Sequence, residues 1–243
     1  ISAGREVAED PTEIAKLFWE RARVMRQAGD RQGALAALEN VTMLEPDHVG
    51  ALALSGEIYI TAGDFADAAD KLARLSRLSD APAKQRLMSG VAAVDLYENK
   101  LGQVDRALAV LDGLYKDGLS TLPVRERLAK TAAKSGAWER AIHVFEELMN
   151  ERESAQGRVD AARLALAIHR DRLGTPAAAL PAAQRLLSEV PDDGEALDLV
   201  LSGVLPSDVT RSMLELGRER IVETLRQEPL DPERVDRLAR IAQ

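Results

Sequence analysis

Three histidines, His48, His143 and His169, are the side chains best suited to acid–base work or metal ligation near neutral pH, and none has a partner at a useful spacing. There is no HExxH pair. The chain has no cysteine, which removes thiolate metal sites, disulfides and cysteine nucleophiles together. Its glycines stand singly, with neither a phosphate-cradling glycine run nor the GxSxG of a serine hydrolase. Carboxylates are plentiful but dispersed: Asp67 and Lys71, for example, have the spacing of a solvent-facing i,i+4 pair on a helix. Each histidine also has a place in a scaffold, His48 in a turn, His143 on an outer helix face and His169 between helices. We therefore assign no catalytic residue and no metal ligand, and expect no cofactor and no enzyme activity within these residues.

The elements that would carry any binding surface are helical. Ala and Leu dominate the 243 residues, charged residues make up 30% and aromatics only 3%. That bias suits long helices and argues against sandwiches or barrels, whose strands favour β-branched and aromatic residues. A net charge of −8 opposes nucleic-acid binding, which depends on Lys and Arg displacing condensed counterions. No apolar run reaches the ~18 residues of a membrane span, so no membrane insertion is expected. The N-terminus lacks a basic segment followed by an apolar one. The cytoplasm is the expected compartment, and nothing in the composition conflicts with a periplasmic one.

A repeat is hidden in the alanines. The segments AGDRQGALAAL, AGDFADAADKL, KLGQVDRALAVL, KSGAWERAIHVF and RLGTPAAALPAA align on Gly29, Gly63, Gly102, Gly136 and Gly174, spaced 34, 39, 34 and 38 residues apart. Five residues after each glycine stands an alanine: Ala34, Ala68, Ala107, Ala141 and Ala179. Each glycine lies between two amphipathic stretches, where a helix C-terminus needs a left-handed residue. The alanine lets the second helix approach the first closely. Pro46 and Pro191 then follow the second helices of the first and fifth units.

With these residues in view, the chain resembles the tetratricopeptide repeat (TPR) family, whose 34-residue unit pairs a helix A with a helix B. The resemblance covers residues 12–191 and implies an all-α, right-handed superhelical solenoid. The family's small residue at position 8 corresponds to Ala22, Gly56 and Ala129, and its bulky position 24 to Leu38, Leu72, Leu111 and Phe145. Units three and five, YENKLG and HRDRLG, carry one extra residue at the end of helix A, which puts the larger Val94 and Leu166 at position 8. Most aromatics, Phe18, Tyr59, Phe65, Tyr97, Trp138 and Phe145, fall on the family's packing positions. Trp19 is left over.

Residues 1–10 are expected to be a tail or the end of a preceding unit, and 11–191 five repeats. Residues 192–228 form a divergent sixth hairpin, and 229–243, with Asp231 as cap and Pro232 in the first turn, open a further helix A. An ending inside an unfinished hairpin suggests a fragment of a longer array or multidomain protein. Asp10 followed by Glu13 resembles a capping box for the first helix.

In TPR proteins the helix A faces line a concave groove that holds peptide segments. Carried over, the lining is Lys16, Trp19, Arg23 and Arg26 in unit one, and Glu57 and Thr61 in unit two. Unit three contributes Asp95 and Glu98, unit four Lys130 and Lys134, and unit five Arg163 and Arg170. The strip alternates in sign, and it lacks the asparagine at position 9 that some relatives use to clamp a carboxyl terminus. The implied function is a non-enzymatic scaffold for a protein or peptide partner. The alternative is a regulatory or substrate-docking segment of a larger enzyme or signalling protein. A third reading is self-association through the solenoid ends. Against the groove assignment stands the plain alternative that these charges are solvated helix faces and that Trp19 packs under an N-terminal segment.

Overall fold

A computed structural model describes residues 10–151 and 154–225, with side chains through 219. The tail 1–9, residues 226–228 and the expected helix within 229–243 lie outside the described residues. The described chain is all helical, and its twelve α-helices run in six consecutive pairs. These are α1 (Pro11–Gln27) with α2 (Arg31–Leu44), α3 (Val49–Ala62) with α4 (Phe65–Leu75), and α5 (Ala83–Asn99) with α6 (Val104–Lys116). They continue with α7 (Leu122–Ser135) and α8 (Trp138–Glu151), then α9 (Ala155–Asp171) and α10 (Leu180–Glu189), the latter entered through a 3-10 turn at Pro176–Ala179. The sixth pair is unequal: α11 (Gly194–Leu201) has 8 residues and α12 (Ser207–Leu225) has 19. The chain forms two compact units, residues 1–124 and 125–243.

Local chemistry sets the ends of these helices. Asp10, Asp30, Ser154 and Asp193 each accept a hydrogen bond from a backbone N–H in the first turn of the following helix, at 2.8–3.2 Å. Glu13 does not complete a box with Asp10; its carboxylate takes the Lys16 ammonium at 2.7 Å instead. His48 caps α3 in the same way, its Nδ1 accepting from the Ala51 N–H at 3.0 Å. Gly29, Gly63, Gly102, Gly136 and Gly174 all have positive φ, between 62° and 89°, the left-handed conformation that glycine adopts without strain.

The backbone also fixes the repeat register. The carbonyls of Met25, Tyr59 and Ala132 accept from N–H groups five residues on, at Asp30, Asp64 and Ala137. The equivalent carbonyls of Tyr97 and His169 accept from residues six on, at Gln103 and Thr175. Units three and five therefore carry one extra residue at the end of helix A, and Val94 and Leu166 occupy position 8. They fit because the bulk is redistributed one turn earlier. Phe18–Ala22, Leu52–Gly56 and Arg125–Ala129 are large then small, whereas Gly90–Val94 and Ala162–Leu166 are small then large. A Cβ on Gly56 would lie 2.9 Å from Leu72, and one on Gly90 would lie 2.8 Å from Leu114. Each hairpin thus keeps one close approach and packs the larger side chain beside it.

Charge pairs from the fourth residue of three A helices tie helix A to helix B. Arg86 binds Asp117, Arg125 binds Glu151 and Arg158 binds Glu189, each joining the start of an A helix to the end of its partner. The residues just before the inserted turns recur as well: Lys100 lies 5.4 Å from the Phe65 ring centre and Arg172 lies 5.3 Å from that of Trp138. Tyr97 is buried and donates its hydroxyl to Asp70 at 2.6 Å, with the Arg106 guanidinium 4.6 Å above the ring. Burial and the Asp70 hydrogen bond push the Tyr97 phenol up to about 12.

Candidate functional site

Between α1 and α3 the A helices leave a depression of about 340 Å³ lined by Trp19, Arg23, Arg26, Gln27, Gly50, Ala53, Leu54 and Glu57. A second, of about 270 Å³, adjoins it along Arg26, Gly29, Arg31, Glu57, Ile58 and Thr61. The two share Arg26 and Glu57, which form an ion pair across the helices. That pair is the ridge between an apolar-floored hollow and a more polar one.

Trp19 is half-buried. Its inner side packs on the core made by Ala22, Leu38, Val41, Leu54 and Ile58. Its ring lies 5.1 Å from that of His48, tilted by 44°. The far edge of the indole rests where a side chain on Gly50 would sit, since a Cβ there would come within 2.9 Å of Cη2. The assignment of Trp19 as left over from the scaffold is therefore corrected: the residue packs α1 against α3 and also lines the hollow. Sequence spacing identified its helix face but not its depth, because Gly50 and His48 meet it from about thirty residues away.

The cations around it carry their own counter-charges. Arg23 binds Glu20 at 3.0 Å and Lys16 binds Glu13, both one turn back on α1. The Glu13 hydrogen bond and charge raise the Lys16 pKa. All these side chains are about half-exposed or more, so water screens each pair and leaves it weak. Partners of that strength exchange readily for the carboxylate of a ligand. Thr61 donates its hydroxyl to the Ile58 carbonyl of its own helix at 2.8 Å and lines the second hollow.

A third depression, of about 170 Å³, lies in the other compact unit, lined by Glu126, Lys130, Phe145, Leu148, Asp160, Ala161 and Leu164. Its position in the repeat matches the first. Trp19 and Arg23 stand at positions 5 and 9 of one A helix and face Gly50 and Leu54, at positions 2 and 6 of the next. Glu126 and Lys130 face Asp160 and Leu164 in the same way. Leu164 is 42% exposed.

The remaining expected lining residues separate into two groups. Asp95, Lys130 and Lys134 are exposed and Glu98 is half-buried, each on an A helix. Arg163, half-buried, and Arg170, exposed, both hold neighbouring carboxylates. Arg163 binds Asp193, whose side chain is only 4% exposed, through Nε at 3.0 Å and Nη2 at 2.8 Å, while Asp193 caps α11. Arg170 binds Asp171 and Glu195. These contacts join α9 to α11, a role that the groove positions alone do not disclose. Gly50, Ala53, Arg31, Asp160 and Leu164 are lining residues missed in the sequence; counting positions 2, 5 and 6 on each A helix would have found four of them.

Of the histidines, His143 stands 3.5 Å from Glu147 on the same helix. His169 is buried; its Nδ1 is 3.1 Å from the Thr175 hydroxyl and its Nε2 has no hydrogen-bond partner. Burial lowers its pKa, against a smaller opposing pull from Glu146. Among the described residues, no cluster of three or more His, Asp or Glu is placed to hold a metal ion, and no helix is long and apolar enough to cross a membrane.

Comparison with known proteins places the repeat. Residues 25–89 match the family model for the tetratricopeptide repeat. No curated protein matches the chain in sequence. Among solved structures, MamA is 18% identical over 80% of this chain and 99% of that one, with a TM-score of 0.39. YrrB, described as a TPR protein with an unusual peptide-binding site, is 20% identical over 79% of this chain and 97% of its own, with a TM-score of 0.40. A tetratricopeptide repeat protein from Parabacteroides merdae is 15% identical over 88% and 87%, with a TM-score of 0.37.

Proposed function

We propose that this tetratricopeptide-repeat chain is a protein-interaction scaffold that holds an extended segment of a partner along the exposed faces of its A helices. The observation that supports this reading most is the recurrence of a depression at the same repeat positions in both compact units. At α1–α3 the floor is the Trp19 indole with Gly50, Ala53 and Leu54, and the rim carries Arg23 and Arg26. That combination suits an apolar side chain next to a carboxylate. At α7–α9 the floor is Phe145, Leu148 and Leu164, and the rim carries Glu126, Asp160 and Lys130. A mixed-charge segment suits it better.

Affinity in such a surface comes mainly from the buried aromatic anchor, and charge sets orientation and association rate. The work is recognition rather than catalysis, since the groups that meet in the hollows are a tryptophan, guanidinium groups and carboxylates already paired with one another. Peptides selected from a displayed random library on the intact protein supply the probe. Trp19→Ala should weaken the selected acidic, apolar peptides by about thirtyfold, equivalent to roughly 2 kcal/mol. Unchanged affinity with the helical content retained would remove the α1–α3 hollow from the site.

A further inference from the structure

The A helices bury a second face, at repeat positions 3, 7 and 10. In α3 these are Ala51, Ser55 and Ile58, in α5 Ser89, Ala93 and Leu96, in α7 Val124, Leu128 and Thr131, and in α9 Ala161, Ala165 and Ile168; all twelve are buried. In α3 this face meets the first hairpin, where Ala51 and Ile58 join Ala22, Ala34 and Leu38 in one core. On α1 the same positions hold Leu17, Arg21 and Val24, with Leu17 72% and Val24 62% exposed. They lie on the side of α1 away from its buried Ala15 and Ala22.

We infer that this face of α1 is where two copies of the chain meet, antiparallel, about a twofold axis beside Glu20 and Arg21. The side chains distinguish this occupant from a further repeat. None of the four buried faces has a charge at positions 3, 7 or 10, whereas α1 places Arg21 between its two apolar residues, so the covering surface must bring an acid. A second α1 brings one. With the axis at residues 20 and 21, Leu17 of each copy packs on Val24 of the other, and each Arg21 lies beside the other copy's Glu20. The patch is therefore complementary to itself in both shape and charge, as a twofold contact requires. Trp19 and Arg26 line the hollow from the other side of the helix, so the hollows stay open in the dimer, and Glu20 exchanges its exposed pair with Arg23 for Arg21 of the other copy. One pair of crossing helices buries less than the ~1,200 Å² of standard interfaces, which makes this a weak dimer dissociating in roughly the micromolar-to-millimolar range.

Sedimentation velocity over a dilution series of the intact protein tests the inference. The wild type should pass from monomer to dimer as concentration rises, and no further. Leu17→Glu with Val24→Glu should stay monomeric with an unchanged melting temperature. Arg21→Glu and Glu20→Arg should each weaken the dimer at least tenfold, and an equimolar mixture of the two should restore it, because each then meets the opposite charge. A wild type that is monomeric throughout overturns the inference, as does a mixture that does not associate. A monomeric wild type whose melting temperature falls on Leu17→Glu would show instead that the face is covered within its own chain.

Discussion

Trp19 is held from below by the α1–α2 core, from the side by His48 and at its far edge by the bare backbone of Gly50. Gly50→Ala should therefore push the indole outward, since the new methyl would meet Cη2 at 2.9 Å. We expect the displacement to be offset in part by the ~0.5–1 kcal/mol of helix propensity gained, for a net loss of no more than about 1 kcal/mol, together with a shift in Trp19 fluorescence. Glu57→Gln frees Arg26 of its counter-charge and should tighten an acidic peptide several-fold in a binding titration at low salt. His169 contributes in the opposite sense at low pH. Its folded pKa is lowered by burial, so the neutral ring stabilises the fold fully above the ordinary value of about 6.5, and that stability is lost as pH falls below it. Melting temperature should drop between pH 7.5 and 5 by more in the wild type than in His169→Gln. The histidine's place between helices was legible from the repeat; its unpartnered Nε2 was not, because that depends on what α8 and α10 pack around it.

At the scale of the helical pair, one rule accounts for both the regular and the irregular units: a hairpin needs a single close approach, and the sequence chooses which turn supplies it. Position 8 supplies it in Ala22, Gly56 and Ala129, and position 4 in Gly90 and Ala162. Val94 and Leu166 stood out in the sequence as oversized, and the missing half of the pattern lay four residues earlier in plain view. Filling the close approach in an irregular unit tests this: Gly90→Leu should cost about 1–3 kcal/mol in chemical denaturation by overpacking against Leu114 and Ser76, and Val94→Gly should recover part of that loss. Arg163 makes the other element-scale prediction. Removing its guanidinium leaves the Asp193 carboxylate nearly buried beside the start of α11, so Arg163→Ala should lower stability by about 1–3 kcal/mol. A solvated groove residue would change by less than about 0.5 kcal/mol.

Across the whole molecule, phased glycines, alanines and amphipathic stretches were enough to place the hairpins from α1 to α10, because each depends on contacts inside or next to its own unit. The sixth pair was recognisable only as divergent, since the starts of its helices, at the Asp193 cap and after Pro206, follow from local punctuation rather than from a repeat signal. The candidate surface was half legible. The face of each A helix follows from its register, but the hollows are made between helices by residues from neighbouring units, and the same proximity pairs Arg163 and Arg170 with carboxylates. The central claim is that one side of the repeat, the A helices, does the binding. Amide hydrogen exchange of the intact protein with and without a selected peptide tests it most directly. Added protection should concentrate in α1 and α3, or in α7 and α9, and leave α2, α4, α8 and α10 unchanged; protection centred on those B helices would contradict the account.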